Sequence, residues 1–143
     1  MTVRISDFNE VVCTFAGLPI EGWADGVALT ITRTSDVFTS QVGNKGDVAR
    51  SKTNDHRAEI EIVLQQVSPT NAGLSAIYLA DRNAPGGAGI GAFLIVDLNG
   101  TSLYTAGNSW IKRPPDPTFD REPTNRTWLL ECDAIQDFTG GNI

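Results

Sequence analysis

Residues 57–82 read RAEIEIVLQQVSPTNAGLSAIYLADR, and the way this stretch divides decides the fold. Ala58, Ile60, Ile62 and Leu64 fall on one side of a period-two pattern; Arg57, Glu59, Glu61 and Gln65 fall on the other, with Val63 as the exception. A strand with one buried and one wet face produces that alternation. Ser68-Pro69 then marks a helix start. A serine hydroxyl can accept from an orphan N–H of the first turn, and proline suits the first helical position, where no N–H is needed. Leu74, Ile77 and Tyr78 follow at helical spacing, so the pattern predicts a strand, a tight turn and a helix over about residues 69–82.

Strands dominate on both sides of this unit. Residues 2–15 read as one or two strands, and residues 27–34 (VALTITRT) alternate apolar positions with threonines, which a pleated surface accommodates well. Beyond a glycine-rich link at 84–89, residues 93–98 read as a buried strand. Asn99-Gly100 signals a type I′ hairpin turn, in which both central residues need positive φ. Residues 101–106, 108–112 and 127–135 complete a set of six to eight strands, and the last residues, 139–143, read as a loose tail. The expected class is mainly β: a sandwich or barrel of two packed antiparallel sheets with one flanking helix, in a single domain spanning residues 1–143.

Two stretches break the pattern. Residues 40–56 are polar, mixed in charge and turn-rich, which predicts a long loop. Loops of this length in a compact domain are usually functional or disordered; a segment that docks on a partner and a merely solvated one are equally consistent with this composition. Residues 113–123 (RPPDPTFDREP) hold four prolines, which exclude a central strand or helix and predict an extended arm on the surface.

The bulk properties narrow the function. The net charge of −6 and pI of about 4.6 oppose nucleic-acid binding, which draws its affinity from cations on phosphates. They do not oppose a surface that nucleic acid must pass without sticking. Cys13 and Cys132 are far apart in apolar contexts, so two buried thiols are favoured over a disulfide. The first residues lack the apolar core of a signal peptide and no run approaches the length of a membrane span, which predicts synthesis in a cytosol.

Chemistry-bearing motifs are weak throughout. The one histidine, His56, sits in the polar stretch with nothing apolar to fix a catalytic geometry, so a loop histidine is the expected reading. The glycines at 87, 89 and 91 mimic a dinucleotide fingerprint, but they follow a helix and open a strand, the reverse of what phosphate binding at a helix N-terminus requires. One histidine and two distant cysteines cannot form a structural zinc site. The acids at 116, 120 and 122 read as a solvated arm rather than a cation site. Trp23, in a turn, is the best exposed candidate for a sugar platform, and Trp128 reads as core. No catalytic residue, cofactor or metal is therefore assigned.

Gly46-Asp-Val-Ala-Arg50-Ser51, the alternating strand at 58–64 and Ser68-Pro-Thr-Asn71-Ala-Gly-Leu74-Ser carry a resemblance. So do residues 93–97 with their Asn-Gly turn, Trp110-Ile-Lys112 and the strand around Trp128. Over roughly residues 43–135 the chain resembles the tail-tube proteins of contractile-tailed bacteriophages. The resemblance implies a virion protein of the phage tail whose hexameric rings stack into a tube within a sheath and conduct the genome into the host. The implied partners are further copies of itself, the sheath, baseplate and tape-measure proteins, and DNA in transit without specific binding. On this reading Arg57, Glu59, Glu61 and Gln65 face the lumen, the competing placement of that face being solvent or the sheath, and Lys45, Asp47, Arg50, Lys52 and Asp55 reach the next ring. The alternatives are a β-sandwich carbohydrate-binding module, or a tail-completion or baseplate hub protein of similar fold.

Overall fold

The computed structural model describes residues 3–142. Ten strands and one helix follow in the order β1 (Val11–Phe15), β2 (Leu18–Pro19), β3 (Leu29–Arg33), β4 (Phe38–Val42), β5 (Val48–Lys52), β6 (Ala58–Gln65), α1 (Thr70–Asn83), β7 (Gly91–Asp97), β8 (Leu103–Arg113), β9 (Asn125–Cys132) and β10 (Gln136–Phe138). Eight strands form one antiparallel sheet along the path β2-β1-β7-β8-β9-β6-β3, with β10 on the free side of β8; β4 and β5 pair only with each other. β8 is the hinge of the design. Its first half pairs with β7 and β10, and its second half with β9. The sheet thereby folds over, and the inward residues of both halves (Cys13, Phe15, Phe93 and Ile95 from one, Ile60, Ile62, Leu64 and Leu130 from the other) meet in one core.

Strand β6 behaves as its alternation predicts. Ala58, Ile60, Ile62 and Leu64 are fully buried, while the opposite face of β6 stays wet or half-wet. The three larger side chains, Ile60, Ile62 and Leu64, each contribute about 1.5–3 kcal/mol on burial. The helix also matches: Leu74 is fully buried, and Ile77 and Tyr78 pack on the core. The Ser68 hydroxyl accepts from Thr70 N at 3.3 Å, as a cap should, and donates to Glu21 O at 2.6 Å, which ties the helix start to the β2 region. Gly73 lets α1 approach closely, since a Cβ there would lie 2.8 Å from Leu18.

Five local expectations are corrected. Residues 40–56 are not a loop but the hairpin β4–β5 and its base, closed by Gly43 N donating to Asp47 O and by Gly46 at φ +91°. All ten strand residues of this hairpin are exposed, so no buried face imposed an apolar alternation on them. The two strands expected at 101–106 and 108–112 are one, Leu103–Arg113, because Gly107 is tolerated within β8. The β7–β8 connection is not type I′: neither Asn99 nor Gly100 has positive φ. Instead the Asp97 carboxylate accepts from Asn99 N, and Gly100 bridges to Asn142. That bridge, with Ser102 Oγ donating to Gly140 O, holds the chain end that looked loose. The expected first strand shrinks to β1, preceded by a short 3-10 turn, Phe8–Glu10; Thr2 lies outside the described residues.

Candidate assembly surfaces

The outward face of the β3–β6–β9–β8 half carries Thr30 and Thr32, Glu59 and Glu61, Thr127 and Glu131. Register sets Thr32 and Glu131 on either side of Glu59. Two carboxylates directly opposite one another repel. The remedy is a bulge: the β8–β9 register shifts between Ile111 and Arg113, leaving Lys112 as the extra residue. Lys112 Nζ lies 2.6 Å from Glu59 Oε1 and 3.3 Å from Glu131 Oε2. Those two carboxylates, Glu59 foremost, raise the lysine above its ordinary pKa. The other cations at this face are also engaged: Arg57 with Asp55 at 2.9 Å, and Arg113 with Asp116 at 3.2 Å. Of the proposed lumen residues, Arg57, Glu61 and Gln65 are exposed and Glu59 is half-buried against Lys112.

The second set divides. Lys45 lies in the β4–β5 turn, and Asp47, Arg50 and Lys52 are exposed along it. Asp55 is elsewhere in role. It sits at the hairpin base, where the Arg57 guanidinium, the Ser35 hydroxyl at 2.7 Å and the Arg57 backbone N–H hold its carboxyl well below the usual carboxylate range. A carboxylate depressed in this way adds stability that is complete above its unfolded pKa of about 3.9 and fades as the pH falls below that value. Asp55→Asn should therefore lower the thermal midpoint at neutral pH, and the gap to wild type should narrow below about pH 4. Melting curves taken between neutral and acid pH test this, and a gap that stays constant down to acid pH would contradict it.

Several surface features had no local signal. One face of the hairpin groups Phe38, Val42 and Val48 with Arg50 and Lys52, and the Arg50 guanidinium stands 4.4 Å over the Phe38 ring. His56 is no loose loop residue: its Nδ1 accepts from Arg33 Nη2 at 2.8 Å, and Arg33 also reaches Asp137 at 3.3 Å. Arg33 Nε is buried without a partner among the described residues. Trp23, read as exposed, is half-buried because the Phe8 ring packs edge-on against it at 5.4 Å; a sugar platform there loses its face. Trp128 is core, as read, and its indole N–H donates to Asn71 Oδ1 at 2.9 Å. The proline arm is pinned by buried Arg126, which donates to Thr118 O at 2.9 Å and lies 5.3 Å from the Phe119 ring.

The β3 edge is open. Ala28 and Thr34 bond to the β6 side, so alternation turns the N–H and C=O groups of Leu29, Ile31 and Arg33 outward, where they have no backbone partner among the described residues. At the other side of this half, β7 accompanies β8 only as far as Ser109, so Ile111–Arg113 are likewise uncovered on one side.

With this geometry in hand, comparison with known proteins is informative. The family model of the bacteriophage PhiTE tail tube protein matches residues 11–140. The structural protein ORF10 of Pseudomonas phage KPP10 is 27% identical over 123 residues, covering 86% of this chain and 71% of its own. Among solved structures, the sheath/tube terminator of an extracellular contractile injection system (PVC) superposes with a TM-score of 0.65 at 11% identity, covering 97% of this chain and all of that one. A chain of the PVC sheath–tube complex gives 0.64 at 11% identity over 96% and 91%, and the tube-terminating cap of the anti-feeding prophage gives 0.60 at 12% over 97% and 95%. At such identities these three speak to the fold alone.

Proposed function

The chain belongs to the bacteriophage PhiTE tail tube protein family and is a structural protein of the phage tail, and from that premise we propose that it builds the inner tube of a contractile tail. Hexameric rings stack into a hollow conduit, with the sheath outside, the baseplate at one end, and the tape-measure protein and then the genome within. The observation that carries this reading is the pair of open edges on the β3–β6–β9–β8 half. Exposed edges invite uncontrolled pairing unless something covers them. Copies joined edge to edge around a ring satisfy the outward groups of Leu29, Ile31 and Arg33 and leave no free edge in the closed barrel.

The polar face then lines the bore. Its threonines and glutamates present few attachment points for phosphate. Every cation at it (Lys112, Arg57, Arg113) is held by a carboxylate, and Glu61 adds free negative charge. Such a surface keeps DNA moving, because retention on a wall requires cations that displace counterions. A structure of the assembled particle with Glu59 and Glu61 directed away from the axis would overturn this placement.

A second reading is a tube terminator, a role that proteins of this same fold also fill. Negative-stain electron microscopy of the purified protein over a concentration series separates the two. Hollow tubes or stacked rings are expected. Single rings that never stack favour the terminator, and a persistent monomer counts against both.

A further inference from the structure

The two ends of β6 differ in what they present to a neighbour. At one end stands the β4–β5 hairpin, reached through Thr34 N donating to Arg57 O. At the other end β6 is closed by Trp23, which bridges Leu64, and by Gln65 N donating to Gly22 O. Eight strand residues at about 3.3 Å each separate them. The two ends carry opposite charge. Residues 38–52 hold three cations, Lys45, Arg50 and Lys52, against one carboxylate, Asp47, on a chain whose net charge is −6. Residues 5–32 hold Asp7, Glu10, Glu21 and Asp25, and no lysine, arginine or histidine.

Both ends also expose apolar surface. On the hairpin, Val42 and Val48 face each other beside the turn at 71% and 67% exposure, with Phe38 on the same face. At the far end a groove of about 320 Å³ opens between Phe8, Val12, Pro19 and Trp23, with Glu21 on its wall. Neither patch is covered by another part of the chain among the described residues.

We propose that this groove is the receptor for the hairpin of a second copy: Val42 and Val48 seat in the groove against the packed Phe8–Trp23 pair and Val12, while Arg50 and Lys52 meet Glu21 and Glu10. The inference rests on the tube reading and adds where the hairpin lands. Complementary patches at opposite ends of one strand make a head-to-tail contact, which repeats without closing and so generates stacking rather than a dimer. The opposed charges steer the approach and forbid hairpin-to-hairpin pairing.

Charge exchange on the full-length chain tests it, with assembly followed by sedimentation velocity at low salt. Arg50→Glu/Lys52→Glu, or Glu10→Lys/Glu21→Lys, should each weaken stacking about tenfold or more. The chain carrying all four changes should stack again. Loss in the hairpin variant without recovery in the four-fold variant would overturn the proposal, as would normal stacking of the groove variant. An independent readout is the Asn9→Cys/Val48→Cys chain, whose native thiols are buried. Oxidation should give a ladder of covalent oligomers, and its absence in a chain that still forms tubes would reject the groove while leaving the tube reading intact. A wild-type chain that never stacks, together with an Asn9→Cys/Val48→Cys chain that never cross-links, would reject both.

Discussion

Replacing Trp128 with alanine should cost the protein about 3–5 kcal/mol, the usual range for deleting a large aromatic side chain from a packed core. Trp128 is only 2% exposed and stands on the inward face of β9 opposite Ile62. Its loss would also leave Asn71 Oδ1 without the indole donor. The Asn71 amide group meanwhile bonds to Gln65 O and Ser68 O, so this one side chain joins the end of β6, the turn and the first turn of α1. Against a total stability of about 5–15 kcal/mol, the expected result is a thermal midpoint lower by about 10 °C or more. Circular dichroism melts of Trp128→Ala beside Trp23→Ala check it. The second tryptophan is half-buried, so its removal should cost clearly less; equal losses would mean that the core is not centred where it is placed here.

The second large effect is on assembly alone. Replacing residues 39–51 with a short Gly-Ser linker should abolish stacking while leaving the melting curve of the monomer close to wild type. The reason is that the hairpin buries nothing at home: every residue of β4 and β5 is exposed, and its aromatic contact, Arg50 over Phe38, is internal to it. Removing it takes away no part of the core. Sedimentation velocity and a thermal melt on the same sample give both halves of the result. An unfolded product, or a chain that still stacks, would contradict it.

These two expectations mirror what was legible from residues alone. Trp128 and β6 could be read because a core imposes a rhythm on any strand it buries, and 58–64 keeps that rhythm almost without fault. The helix could be read because Ser68-Pro69 announces it and three apolar residues share a stripe. The hairpin could not be read as strands. With both faces in water, nothing selects which side of each residue is apolar, so Arg50, Lys52 and Ser51 sit where a half-buried strand would have valine. Its turn residues, Gly43 to Gly46, were the only local trace. Trp23 was misjudged for a related reason. What covers it is Phe8, fifteen positions earlier, and no local pattern encodes that meeting. The same holds for the half-exposed linkage of Arg33 to His56 and Asp137, and for Lys112, whose place between two glutamates depends on a bulge that pairing alone reveals.

The two cysteines carry a last consequence. Both are free and buried, and burial pushes the Cys13 thiol up to about 12 and raises Cys132 as well. Only the thiolate attacks oxidants and disulfides, and at neutral pH almost none is present. A phage is built inside a reducing cell and then waits outside in aerated water. Thiols buried and protonated in this way should react slowly with oxidants across that journey, and a thiol-reactive dye should label the native subunit only after it is unfolded.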